Sequence, residues 1–115
     1  GSQAHTARRA ARGLQEVLGE MRDCDLAVPP ARQAITDLEA EDVKTIIDRA
    51  RGSRDLDPIL VQAAPNRAAY RGLELAVVHM TARRQMLYER FKRLWHEQSR
   101  QGVWVALETS LKVES

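Results

Sequence analysis

The sequence contains one cysteine, Cys24, and five aromatic residues in all: Tyr70, Tyr88, Phe91, Trp95 and Trp104. One cysteine excludes an internal disulfide framework and a cysteine-based zinc cluster. So few aromatic residues, in a chain whose apolar side chains are mostly Leu, Ala, Val and Ile, argue against a β-sandwich or barrel. The longest run without a charge is residues 58–66, nine residues. A membrane-spanning helix needs about 20 apolar residues, so no membrane partner is expected. No secretory leader is read at the start, where Gly1-Ser2 is taken as an expression scar. The expected compartment is therefore the cytoplasm.

Catalytic patterns are missing as well. No glycine-rich phosphate loop, Ser-His-Asp set or paired catalytic carboxylates are visible. His5, His79 and His96 lie far apart, with no carboxylate at ligand spacing. Cys24 sits between Asp23 and Asp25, whose charges disfavour a thiolate. The chain is accordingly read as not an enzyme, with no catalytic residue, no metal site and no cofactor.

What is present describes a globular protein: 115 residues, 43% hydrophobic and 30% charged. That length suits a single domain over 1–115, with residues 101–115 as a C-terminal extension. Charge is unevenly spread. Residues 1–22 sum to +2, residues 23–66 to −4, residues 67–100 to +5 and the tail to −1. Arginine outnumbers lysine by 15 to 3. Its planar fork suits bidentate recognition of phosphate or carboxylate, although codon usage produces the same bias.

Periodicity gives the elements. Leu14, Val17, Leu18 and Met21 fall at i, i+3, i+4 and i+7, which predicts an amphipathic helix over about residues 4–22. Asp23, Asp25, Pro29 and Pro30 predict an interruption, with a second helix starting near Pro30. Thr36 and Glu39 are spaced as a capping box, which allows a kink at 39–42. Gly52-Ser53 ends that helix. Residues 59–61, between Pro58 and Pro65, make a helical turn or two. Asn66 is a suitable N-cap for a long helix over about residues 67–100. Its apolar stripe is Ala69, Tyr70, Leu73, Val77, Met80, Leu87, Phe91, Leu94 and Trp95. Gly102 closes it, and residues 103–107 are read as a further helical segment. The expected fold is all-α, an antiparallel helical bundle with one long C-terminal helix.

One residue breaks the stripe. Arg84 lies near its centre, between Met80 and Leu87, where a guanidinium demands a partner or an aqueous cavity. Two readings follow: an ion pair to Asp23, Asp25 or Asp48, or an anion site lining a cleft. His79, Arg83, Arg90 and Arg93 run along the adjoining edge, with Arg71 further round. A ridge of this kind suits a polyanion, or equally a solvated face paired with Glu74, Glu89 and Glu97. Arg12, with Arg8 and Arg9, falls opposite the Leu14 stripe, facing solvent or a partner.

The string Leu14-Gln15-Glu16-Val17-Leu18-Gly19-Glu20-Met21-Arg22-Asp23 resembles the LQ-x-x-LGE-x-x-D segment of CHAD domains, the conserved-histidine α-helical domains. A second match follows in order: Gly72 in the long helix, Arg83-Arg84, Arg93-Leu94-Trp95, and Trp104 after Gly102. The matches cover about half of the chain. The family's histidine- and arginine-rich helix, expected upstream of the first string, is not present, so the likeness is to a C-terminal half or a shortened relative. CHAD domains pair two helical bundles around a basic cleft and bind inorganic polyphosphate. The resemblance implies that Arg83 and Arg84 are cleft residues here.

Two functional classes follow. The first is a polyanion-binding module for inorganic polyphosphate, through Arg12, Arg71, His79, Arg83, Arg84, Arg90 and Arg93. The second is a protein-interaction or oligomerisation module whose partner is a second copy or another helical protein. Specific nucleic-acid binding is not expected, because aromatics are not interleaved with the basic residues and no helix-turn-helix spacing is evident. Histidine phosphotransfer at His5 is the weakest reading, since Arg8-Arg9 stands where that motif wants Lys-Gly.

Overall fold

The computed structural model describes residues 2–100 together with Gly102, Thr109 and Leu111. Their regular structure is entirely helical, as α1 (Ser2–Ala50), α2 (Pro58–Gln62) and α3 (Arg67–Arg100). The segment at 103–107 and Trp104, for which sequence gives a further helix and the last element of the family resemblance, lie outside the described residues.

The expected interruption between residues 22 and 30 is absent. α1 runs through Pro29 and Pro30 as one helix of 49 residues. Each proline lacks the N–H that would bond four residues back, which frees the carbonyls of Asp25 and Leu26. All four residues are exposed, so water can satisfy those carbonyls and the break expected from sequence is not forced. The expected capping box is also overturned. The Thr36 hydroxyl donates to the Arg32 carbonyl 3.2 Å away, one turn back within the continuous helix. α1 does end where expected. Gly52 takes a left-handed backbone (φ +79°), and the Ser53 N–H and hydroxyl both donate to the Ala50 carbonyl, at 3.1 and 2.7 Å.

By packing, the chain divides into two compact units: Gly1–Asp25 with Ala82–Ser115, and Leu26–Thr81. In the first, Ala7, Leu14, Val17, Met21 and Cys24 of α1 are buried, as is Leu87 of α3. This is the predicted Leu14 stripe with Leu18 excepted, which stays 46% exposed. Gln98 Nε2 donates to the Ala10 carbonyl (3.4 Å), and Arg83 Nη1 donates to Cys24 Sγ (3.4 Å). These pairs succeed one another in opposite order along the two helices.

In the second unit the core is Ile46, Ala64 and Val77 around a buried carboxylate, Asp42, which is only 3% exposed. Asp42 Oδ1 accepts the Asn66 N–H at 3.1 Å, and Asn66 Nδ2 donates to the Leu38 carbonyl at 3.3 Å. Asn66 thus opens α3, its carbonyl accepting the Tyr70 N–H, while its side chain reaches α1. The predicted N-cap amide is used to fasten one helix to another. Residues 59–61 are helical as expected. α2 is capped by Asp57, whose carboxylate accepts the Ile59 N–H at 3.0 Å.

Candidate functional site

Along α3 the predicted stripe is mostly turned inward. Val77 and Leu87 are buried, and Tyr70, Leu73, Met80, Phe91 and Leu94 are half-buried. Ala69 and Trp95 are exposed, at the margins of the stripe. Arg84 keeps its place in the register at intermediate exposure. Its Nε lies 3.2 Å from Asp25 Oδ1, and its guanidinium lies 5.7 Å from the Tyr88 ring centroid. Of the two readings for this residue, the geometry supplies the ion pair, to one of the acids expected from sequence. The pair sits at the surface, with side chains 39% and 57% exposed, so it is worth under about 1 kcal/mol.

Arg83 is similarly engaged, with Nη2 3.9 Å from Glu20 Oε1 and Nη1 on Cys24 Sγ. Arg90 lines a hollow of about 330 Å³ with Thr6, Arg9, Gly13, Glu16, Glu20 and Glu97, over a floor of Ala10, Val17, Leu94 and Gln98. Two arginines and three glutamates give this hollow both signs of charge. Gln98 Oε1 is buried without a hydrogen-bond partner.

Arg93 lines a different hollow, about 600 Å³, with Lys92, His96, Arg100, Glu89 and Glu97. Lys92 Nζ lies 3.4 Å from Glu89 Oε2 and 5.1 Å from the Tyr88 ring centroid. Phe91 and Trp95 stack at 6.2 Å. Arg12 is exposed on the first unit; Arg71 and His79 are exposed on the second. The seven candidates therefore divide as Arg12, Arg83, Arg84, Arg90 and Arg93 on one unit and Arg71 and His79 on the other.

Sequence reasoning passed over Arg9, Glu16, Glu20, Lys92, His96 and Arg100 as site residues. A signal was available: Arg9 to Glu16 and Arg90 to Glu97 are each seven residues apart, which places opposite charges along one helix edge. Among the described residues no group of three or more His, Cys, Asp or Glu is placed to hold a metal ion, and no helix is long and apolar enough to cross a membrane.

Tyr70 has a displaced titration. Burial first, and then the negative charge of Asp42, push its phenol above the ordinary value.

The chain matches no family model, no curated protein and no solved structure.

Proposed function

We propose that this chain is a non-enzymatic helical interaction module, built as an antiparallel bundle that completes itself against a protein partner. The observation that carries this is the balance of apolar side chains. Thirteen large ones are exposed among the described residues, and nine apolar residues are buried. Val43 and Ile47 on α1, and Leu75 and Val78 on α3, are each more than half exposed. At about 25 cal/mol per Å², surfaces of this kind favour association. The test is sedimentation velocity from micromolar to millimolar protein, with binding of a solvatochromic apolar dye measured alongside. Dye binding, with or without self-association, is expected. A strictly monomeric chain that binds no dye overturns the reading.

A second reading is capture of inorganic polyphosphate, which the resemblance to CHAD domains implies. It is favoured by the hollow of Lys92, Arg93, His96 and Arg100, where cations outnumber Glu89 and Glu97. It is opposed at Arg83 and Arg84, whose nearest anions are already Glu20 and Asp25. Polyphosphate would bind as a chain of oxyanions, through charge and bidentate guanidinium contacts.

A further inference from the structure

We infer that the C-terminal half of α3 is a binding face for single-stranded nucleic acid, held without base-sequence preference. The inference goes beyond both readings above. It shares the cation-lined hollow with the second, but names a ligand that carries bases as well as phosphates.

Aromatic rings and cations coincide here in a way that linear sequence hides. Along the chain the aromatics do not alternate with the basic residues; along the helix they do. Arg84, Tyr88, Lys92 and His96 stand at intervals of four residues, with Trp95 beside the last of them, so all five share one side of α3. Three of the chain's five aromatic residues fall between Arg84 and Arg100, where five Arg or Lys stand against two Glu.

The rings are presented to solvent. Tyr88 is 39% exposed and Trp95 46%. Phe91 backs Trp95, its ring 6.2 Å away and 22° from parallel, so the indole is held in place with part of its surface open. Tyr88 has two cations near its ring, the Arg84 guanidinium at 5.7 Å and Lys92 Nζ at 5.1 Å from the centroid. Tyr88 and Trp95 are seven residues apart in sequence, which is about 10 Å along a helix axis. A strand rising about 3.4 Å per nucleotide covers that distance in about three steps.

Cations for the phosphates surround the rings. Arg84 and Lys92 lie against Asp25 and Glu89, at 3.2 and 3.4 Å. Among the described residues no ion pair engages Arg93, His96 or Arg100, which line the 600 Å³ hollow with Lys92. Aromatic side chains stack on bases of any sequence, while basic side chains neutralise the backbone between them. Polyphosphate has no base to stack, and the bases of a duplex are closed to a ring on a helix surface. Charge therefore serves any polyanion, and Tyr88 with Trp95 selects the single strand.

The experiment titrates the whole chain with an oligo-dT strand, a duplex of the same length, long-chain polyphosphate and phosphatidylserine vesicles, at several salt concentrations. A Tyr88→Leu/Trp95→Leu variant, which keeps apolar bulk but loses the rings, is run alongside after its helicity is checked by circular dichroism. Oligo-dT is expected to bind more tightly than the duplex, with a salt slope of about 2–3 in magnitude for three or four phosphates. Loss of the rings should weaken oligo-dT about tenfold or more and leave polyphosphate unchanged, while Tyr88→Phe/Trp95→Phe keeps the binding. Emission from Trp95, isolated by Trp104→Phe, should be quenched by oligo-dT and not by polyphosphate. Ring loss that leaves oligo-dT unchanged, or weakens polyphosphate equally, overturns the inference, as does a duplex bound as tightly as the strand. A folded chain that binds no oligo-dT also overturns it. Polyphosphate binding in that case leaves the second reading standing, and vesicle binding assigns the face to a lipid surface instead.

Discussion

Asp42 and Asn66 show what a single buried polar group does in so small a core. The carboxylate is 3% exposed; one oxygen accepts the Asn66 N–H, and Oδ2 has no hydrogen-bond partner. Asp42→Ala removes the acceptor and leaves a donor at the start of α3 unpaired. The expected loss is about 1–3 kcal/mol in urea unfolding, with Asp42→Asn losing less because an acceptor remains. Tyr70 adds a pH dependence with a definite sign. Its neutral form is favoured by folding, so this stabilisation is present in full below the unfolded value of about 10. It is lost as pH rises through the raised folded value. Unfolding measured between pH 8 and 11 should show stability falling in the parent and a shallower fall in Tyr70→Phe. Equal slopes would remove Tyr70 from the account. Arg51 holds a left-handed backbone (φ +45°) without being glycine, so Arg51→Gly should stabilise the end of α1 by about 1 kcal/mol. Residue types alone limited Arg84 to an ion pair or a cleft. Choosing between them needed the position of Asp25, 59 residues away in sequence, which no local pattern encodes.

At the scale of elements, α2 and α3 were legible because each is bounded by strong local chemistry: Pro58 and Pro65 for one, Asn66 and Gly102 for the other. The all-α class was legible from the same periodicity. The continuity of α1 was not, because two prolines outweigh a periodic stripe in any local reading, whereas the exposed backbone around them leaves the freed carbonyls accessible to water. The site was legible as a set of cations and illegible as a charge balance. Glu16 and Glu20 were read as components of a family string, not as the neighbours of Arg9 and Arg90. The prolines also make a prediction. Pro29→Ala/Pro30→Ala returns N–H donors to the Asp25 and Leu26 carbonyls and should stabilise the chain by about 3 kcal/mol or more in urea unfolding. No gain would mean that the helix is relieved at this point by some route other than those two bonds.

For the molecule as a whole, the question is where an oxyanion chain would bind if it binds. Counterion release makes the answer measurable, because each phosphate neutralised contributes about 0.7–0.9 to the slope of log affinity against log salt. Arg83 and Arg84 already face Glu20 and Asp25, so a polyanion there must displace a carboxylate and gains little net charge. Lys92, Arg93 and Arg100 surround a hollow whose Glu89 and Glu97 only partly offset them. A polyphosphate titration at several salt concentrations should therefore give a slope of about 2–3 in magnitude, if all three cations engage. Arg93→Ala/Arg100→Ala should lower the affinity and flatten that slope by about 1.4–1.8, while Arg83→Ala/Arg84→Ala leaves it nearly unchanged. The opposite ranking would move the anion site onto Arg83 and Arg84, as the family resemblance implies, and would require both ion pairs to open on binding. Saturation without any salt dependence would exclude a charge-driven site on either group and leave the apolar faces as the functional surface of the chain.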